Sequence, residues 1–213
     1  RRFNSTFQKI YARPPRELRR MNEDRDGSDD AGLTLKLAVR PPYDWPRLIG
    51  FLQTRAIPGV ESVSDNSYRR TIAIEKQQGI LEVQHAAEGD HLKVTVSLAD
   101  TSNLQTVIER SRRLFDLDAD SVAINAHLCR DPLLAKSIKT RPGLRIPGAW
   151  EAFEIAVRAV LGQQISVAAA RTFASRLATA YGAPIKNPNG SELSHLFPTP
   201  EALAEADLSN IGL

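Results

Sequence analysis

The 213-residue sequence is 42% apolar, which is enough to bury the core of one or two domains, and its 12 glycines and 13 prolines exclude a collagen-like or wholly disordered chain. The formal net charge of +3 is small, and the single cysteine, Cys129, excludes an internal disulfide framework and predicts a reducing, cytoplasmic compartment. No stretch approaches the roughly 18 consecutive apolar residues of a membrane span, and the N-terminus lacks the apolar segment of a secretory signal, so we expect no membrane partner.

A basic segment, residues 1–20, has a net charge of +6, and the acidic residues 21–30 that follow it have a net charge of −4. Phe3, Phe7 and Ile10 recur at helical spacing, and Pro14 ends the predicted helix. Residues 21–32 have no apolar periodicity and are predicted to be a flexible linker. Because the chain begins inside a predicted helix, we expect it to be an internal piece of a longer protein.

The residues after the linker predict alternating strands and helices. Residues 33–40 alternate strictly between apolar and polar side chains, as a half-buried strand does. Asp44 is suited to cap a helix that carries Pro46 in its first turn. Three or four further strands are expected over residues 60–63, 68–74, 80–85 and 92–98, with hairpin turns at Gln78-Gly79 and Gly89-Asp90.

The next part of the chain completes this unit and then becomes helical. Ser102 and Gln105 have the spacing of a capping box, which predicts the start of a second helix. Strand, helix, meander and helix together are typical of an α+β fold, a curved antiparallel sheet with helices on one face. From Asp120 onward we expect helices beginning at Asp131-Pro132 and Thr199-Pro200 and helices over residues 150–161 and 166–181, the last of which ends at Gly182.

The common catalytic signatures are absent from the sequence, which has no Walker loop, dinucleotide fingerprint or nucleophile elbow. Each of the four scattered histidines is interpreted as a surface residue or a satisfied core residue, and Cys129 as a small buried hydrophobic residue. His127 and Cys129 leave a helix on different sides, which argues against a shared metal ion. We therefore expect neither a metal site nor a cofactor.

The most distinctive stretch is Gln163-Gln164-Ile165-Ser166, at a predicted joint between two helices. An amide both donates and accepts hydrogen bonds, so a glutamine is able to replace the partners that are lost when a base leaves the DNA stack. Ser166 is suited to cap the following helix, whose amide groups would then face a phosphate. The alternative is that both glutamines satisfy backbone groups at a buried turn, and the spacing alone favours that alternative.

Several motifs resemble those of the AlkA-type DNA-3-methyladenine glycosylases. They occur in the family's order and extend from about residue 33 to residue 213. The motifs are Pro41-Pro42-Tyr43-Asp44-Trp45, Leu48-Ile49-Gly50-Phe51-Leu52, Arg55-Ala56, Arg113-Leu114-Phe115-Asp116-Leu117, Arg141-Pro142-Gly143-Leu144-Arg145-Ile146-Pro147-Gly148, Ala152-Phe153-Glu154, the run from Arg158 to Ala168, and Phe197-Pro198-Thr199-Pro200.

This resemblance implies an N-terminal α+β domain over residues 33–118, followed over residues 119–213 by the first helices of an all-α helix-hairpin-helix glycosylase domain. The family flips an alkylated base out of double-stranded DNA and hydrolyses its N-glycosidic bond. The turn that matches Gln163–Ile165 inserts a wedge residue into the minor groove. That wedge is a leucine in the best-known member, and Gln164 stands at the matching position. Phe51 matches an aromatic residue near the base pocket, and an ordinary helix-core position is its alternative.

The basic segment resembles the end of an AraC-type helix-turn-helix domain. The resemblance implies that Arg1, Arg2 and Asn4 contact promoter DNA, whereas a solvated amphipathic helix is the alternative. An AraC-like tail before an AlkA-like body is a known bacterial architecture, in which a transcription regulator and a glycosylase share one chain. The motifs that carry the resemblance are Arg1-Arg2-Phe3-Asn4, Phe7, Tyr11, Arg13-Pro14-Pro15 and Leu18-Arg19.

The glycosylase resemblance also implies what the 213 residues lack. The family's Pro-Gly-x-Gly hairpin and its catalytic aspartate are expected downstream of Leu213, so we assign no catalytic residue and expect this chain alone to be inactive. We expect a cytoplasmic, nucleoid-associated monomer. A second hypothesis is an AraC-type regulator whose α+β body binds a small effector; the basic segment supports it, and the ordered motifs from Pro41 to Pro200 oppose it.

Overall fold

A computed structural model of the protein describes residues 32–86, 90–185 and 192–212. The predictions for the basic segment and for nearly all of the linker therefore lie outside the described residues, as does Gly89 of the second predicted hairpin turn. None of the helices in the described ranges combines the length and the apolar composition that crossing a membrane requires. The same ranges bring no three His, Cys, Asp or Glu side chains together as a metal-binding cluster.

The described strands form one antiparallel sheet in the order β1-β5-β4-β3-β2. Leu33, Leu35 and Leu37 alternate with more exposed residues and are buried, which confirms the half-buried first strand. The strands are β1 (Leu33–Ala38), β2 (Glu61–Val63), β3 (Ser67–Ile74), β4 (Gln77–His85) and β5 (His91–Ser97).

Two helices, α1 (Trp45–Arg55) and α2 (Leu104–Leu114), pack their apolar residues against the sheet in one core. Helix α1 begins as predicted, because the Asp44 side chain accepts a hydrogen bond of 3.2 Å from the Arg47 amide. Tyr68 of β3 and Phe115 meet edge-on at the centre of this core, with ring centroids 5.5 Å apart. The predicted α+β fold is therefore confirmed.

The hairpin predicted at Gln78-Gly79 is wrong. The turn lies at Glu75-Lys76, since Ile74 pairs with Gln77 and Gly79 already pairs with Ile72 inside the ladder. The left-handed φ of 54° at Glu75 is the conformation that such a two-residue turn requires. Glycine is needed at position 79 for another reason: a Cβ there would lie 1.8 Å from the carbonyl oxygen of Ser97 on the neighbouring strand.

The predicted capping box is also wrong. Asn103 is the N-cap of α2, without a side-chain hydrogen bond to the helix. The Ser102 hydroxyl instead pairs with Asp100, and Gln105 donates to Glu109 one turn further along the helix. The Ser102 hydroxyl thus hydrogen-bonds the nearby Asp100 carboxylate instead of capping the helix.

The helical part begins at Ser121, and side-chain caps at Asp120, Asp131, Ser166 and Thr199 open four of its helices. The starts predicted at Asp131-Pro132 and Thr199-Pro200 are confirmed. The helices are α3 (Ser121–Leu128), α4 (Pro132–Thr140), α5 (Ala152–Leu161), α6 (Val167–Tyr181) and α7 (Pro200–Ala204), with a 3-10 helix at Leu208–Ile211.

Gly182 ends α6 as expected, but its φ of −78° is not left-handed. Glycine is required there because a Cβ would lie 2.1 Å from the carbonyl oxygen of Leu196. A second buried cluster, formed by Ile57, Val60, Ala174 and Ala178, packs α6 against the chain that follows α1. The helical part is thereby fixed against the sheet part, and the candidate site lies between them.

Candidate functional site

The turn between α5 and α6, residues 162–166, is exposed to solvent at every position. Gln164 has a left-handed φ of 60°, which a residue with a side chain adopts only at some cost. Its amide has no hydrogen-bond partner among the described residues, whereas the Gln163 amide donates to the Ala159 carbonyl over 3.2 Å. The alternative of a buried turn is therefore wrong. Gln163 does satisfy a backbone group, and Gln164 is free to meet a ligand.

Ser166 confirms the predicted cap of α6, since its hydroxyl accepts a hydrogen bond of 3.1 Å from the Ala169 amide. The helix that it opens has 15 residues and carries no carboxylate. Ile165, between the free glutamine and this cap, is 41% exposed and lines the cavity described next.

A cavity of about 330 Å³ lies between α1, α5 and α6. Its volume is within the range of roughly 300–1,000 Å³ that small-molecule sites occupy. Phe51 and Arg55 of α1 line it, and so do Ile155 of α5 and Ile165 of the turn. The cavity thus has a mixed lining of apolar, aromatic and charged side chains, and it reaches the exposed turn at Ile165.

Phe51 is 43% exposed, in contrast to its neighbour Leu52, which belongs to the core of the sheet part. The helix-core alternative for Phe51 is therefore wrong. The guanidinium carbon of Arg55 lies over its ring, 3.7 Å from the ring centroid. One Arg55 Nη donates to the Phe51 carbonyl over 3.3 Å and to the Thr54 hydroxyl over 2.9 Å.

Two arginines and two glutamates form an ion cluster at the cavity wall, and three of them are almost fully buried. Arg70 of β3 donates to Glu154 of α5 over 2.6 Å. Arg158 donates to Glu154 over 3.1 Å and to Glu61 of β2 over 3.0 Å. A further 2.7 Å bond from Arg158 reaches the carbonyl of Arg55 at the end of α1. The cluster therefore joins α5 to both the sheet and α1.

The two arginines of the ion cluster favour the charged form of Glu154. Burial raises the pKa of Glu154, but the two guanidiniums of Arg70 and Arg158 outweigh burial and hold that pKa below its usual value. Burial, followed by the nearby Glu61 carboxylate, raises the pKa of Tyr68 well above the usual range, and the Tyr68 hydroxyl donates to Glu61 over 2.5 Å. Both carboxylates are thus fully engaged.

Trp150 closes the cavity on the side of α2, with the guanidiniums of Arg70 and Arg110 each 5.4 Å from its ring. Aromatic surfaces and cationic donors suit the binding of a flat, hydrogen-bonding group. Among the described residues that line the cavity, no carboxylate is left unpaired to act on a bond. The lining is therefore suited to binding such a group, and the two carboxylates within it are both paired with arginines.

The structure brings the predicted wedge residues Gln163, Gln164, Ile165 and Ser166 together at one turn. Of these four, Ile165 lines the cavity together with Phe51. Arg1, Arg2 and Asn4 lie outside the described residues. Cys129 is half-buried at the end of α3 rather than buried. Sequence reasoning missed the ion cluster; its one local indication was the helical spacing of Glu154 and Arg158.

Comparison with known proteins gives consistent results. The family model of the AlkA N-terminal domain matches residues 34–151. A Mycobacterium tuberculosis protein named as a bifunctional transcriptional activator/DNA repair enzyme AlkA is 40% identical over 216 residues, which cover all of this chain and 43% of that protein. DNA-3-methyladenine glycosylase 2 of Escherichia coli is 36% identical over 172 residues, covering 79% of this chain and 56% of that enzyme.

The fold has solved counterparts. The structure of a 3-methyladenine DNA glycosylase from Archaeoglobus fulgidus matches with a TM-score of 0.69 and 20% identity, over 84% of this chain and 61% of that one. The likeness supports a shared fold. The chain spans about half the length of the curated relatives that it matches.

Proposed function

Because this chain belongs to the AlkA family, we propose that it supplies the DNA-entering turn and part of the base pocket of a glycosylase, which hydrolyses the N-glycosidic bond of alkylated bases in double-stranded DNA. One observation carries the proposal: Ile165 of the exposed turn and Phe51 of α1 line the same cavity. A base displaced from the duplex at the turn would have this cavity directly beside it.

Each part of the site has a role in this proposal. Gln164 enters the gap that the flipped base leaves, and its free amide hydrogen-bonds the exposed bases there. Phe51 offers a ring face against which the flipped base stacks. The capped N-terminus of α6 points its amide groups toward the DNA backbone. The ion cluster holds α5, and with it the turn, at a fixed position relative to Phe51.

Hydrolysis of the N-glycosidic bond also needs a group that these site residues do not supply. Departure of the base builds positive charge on the sugar, which a preorganised carboxylate stabilises. Glu61 and Glu154 are both neutralised by arginines, so neither of them is our candidate for this step. We propose that the described residues bind and position the substrate and that the catalytic carboxylate comes from elsewhere in the protein.

The relative from Mycobacterium tuberculosis is named as a transcriptional activator as well as a repair enzyme. This name, together with the charge of the basic segment, supports a second role in which residues 1–20 contact promoter DNA.

We also propose that the chain divides near residue 118 into an α+β unit and a helical unit. The acidic stretch would then act as a spacer between promoter binding and repair.

Base release tests the proposed function. The complete gene product is incubated with methylated duplex DNA, and the free methylated bases are separated by chromatography and measured over time. We expect release from methylated duplex and none from unmodified duplex. The absence of release, together with a small effector that changes the affinity for promoter DNA, would overturn the proposal in favour of a regulator with an effector-binding body.

A further inference from the structure

We propose that Arg171 is a positioning residue, which binds a phosphate of the DNA backbone beside the flipped nucleotide. The inference rests on the proposed function, in which the cavity receives a base that has left the duplex. A flipped base stays attached to its sugar, so it brings the phosphates of its own nucleotide to the mouth of the cavity. Each of these phosphates carries a negative charge, which calls for a cationic partner at the protein surface.

Arg171 lies on the face of α6 that lines the cavity. The residues of α6 in the lining recur at the spacing of a single helix face, and they are Val167, Ala170, Arg171 and Ala174. Arg171 is the charged member of this set, and it is exposed. It follows Ser166 by five residues, a rise of about 7.5 Å along the helix. Its charge is therefore close to the turn that would enter the DNA.

One edge of the Arg171 guanidinium is held by the protein. Its Nε donates over 2.5 Å to the carbonyl of Ala56, which directly follows α1. Arg158 donates to the preceding carbonyl, that of Arg55, over 2.7 Å. Among the described residues, the two Nη groups of Arg171 have no hydrogen-bond partner. These groups carry four of the five N–H donors of a guanidinium, and such a fork matches two phosphate oxygens at once.

The charge of Arg171 is not neutralised within the described part of the chain. The two glutamates that line the cavity are paired with Arg70 and Arg158. Arg55 also forms no salt bridge there, but its guanidinium lies over the Phe51 ring, where the base would stack. Arg171 is the uncompensated cation on the helix that follows the turn. An anion at that place would therefore be attracted by a preoriented donor.

The salt dependence of binding tests this contact. The affinity of the complete gene product for a duplex that contains a tetrahydrofuran abasic-site analogue is measured by fluorescence anisotropy over a series of salt concentrations. We expect Arg171→Gln to weaken binding about tenfold and to reduce the slope of log affinity against log salt concentration by about one unit, the value for one phosphate contact. Arg171→Lys, which keeps the charge, should stay near the wild-type slope. Arg176→Gln is the matched control, because Arg176 is exposed on the same helix, also donates to a backbone carbonyl and does not line the cavity.

A second measurement locates the phosphate. In a set of duplexes, single phosphates beside the abasic-site analogue are replaced by neutral methylphosphonates. We expect one replacement to weaken binding by the wild-type protein about tenfold and to have no further effect on Arg171→Gln, because both changes remove the same contact.

An unchanged salt slope in Arg171→Gln, even with weaker binding, would overturn the role of Arg171. So would methylphosphonates that weaken binding by the variant as much as binding by the wild type, or that affect neither protein. These results leave base release by the wild type intact, whereas a wild-type protein that releases no methylated base from duplex DNA would contradict the proposed function itself.

Discussion

Glu154 accepts a 2.6 Å hydrogen bond from Arg70, and this contact ties α5 to the third strand of the sheet. Both side chains are almost fully buried. The partners are 84 residues apart in the sequence, so the bond joins the sheet part to the helix that precedes the exposed turn. The position of Gln164 relative to Phe51 therefore depends on a buried ion pair.

Removal of the Glu154 charge should destabilise the fold. Glu154→Gln leaves Arg70 buried without its main partner, and the loss of one member of a buried pair costs about 3–5 kcal/mol. We expect a decrease of that size in the free energy of unfolding, measured by urea denaturation. Glu151→Gln is the control, because the Glu151–Arg110 pair lies at the surface and is worth about 0–1 kcal/mol. Equal losses in the two variants would contradict a dominant role for the buried pair.

The same carboxyl predicts how stability depends on pH. The pKa of Glu154 is lowered in the folded protein, against the effect of burial, by Arg70 and Arg158. Such a group stabilises the fold above its unfolded pKa of about 4.3 and loses this contribution as the pH falls through the lower native pKa. Urea midpoints of wild type and Glu154→Gln should therefore converge as the pH is lowered below about 4. A difference that stays constant over this range would speak against the assignment.

Local sequence patterns predicted most of the fold. The alternation of Leu33, Leu35 and Leu37 and the caps at Asp44 and Asp131 depend on neighbouring residues, and the structure confirms them. The hairpin prediction at Gln78-Gly79 was wrong because a contact with a residue distant in the sequence determines the need for glycine there. Gly79 is explained by the approach of Ser97 on another strand, and a turn of its own does not account for it.

The candidate site was predictable only in part. The position of the turn at Gln163-Gln164 follows from the helix boundaries. The exposure of this turn and of the Phe51 ring does not, because the spacing alone favoured a buried turn and left a helix-core position open for Phe51. The ion cluster does not, because Glu61 and Arg158 are 97 residues apart and only the fold brings them together. The stacking of Arg55 on Phe51 is a local contact on one helix, but the cavity that both residues line is completed by α5 and α6.

The basic segment predicts a salt-dependent contribution to DNA binding. It has seven basic residues, of which a helix presents about two to four to phosphates. Deletion of residues 1–20 should reduce the slope of log affinity against log salt concentration by about two to four units. A salt titration by fluorescence anisotropy measures this slope, and an unchanged slope would count against a DNA contact by this segment.

The 213-residue chain by itself should release no alkylated base, even where it folds and binds DNA. Both carboxylates that line the cavity among the described residues are held by arginines, so the positive charge that develops on the sugar meets no free anion there. An abasic-site assay on methylated duplex compares this chain with the complete gene product. Equal release by both would overturn the expectation that the catalytic group lies outside these 213 residues.

In our proposal Gln164 enters the duplex where a base has left, and truncation of the Gln164 side chain is the direct test of this role. We measure the affinity of the complete gene product for lesion-containing and for undamaged duplex, with Gln164→Ala and with Gln78→Ala, an exposed glutamine of β4, as the control. We predict that Gln164→Ala alone weakens lesion binding by about 1–2 kcal/mol, with thermal stability unchanged. Unchanged lesion affinity together with a loss of thermal stability would contradict the account.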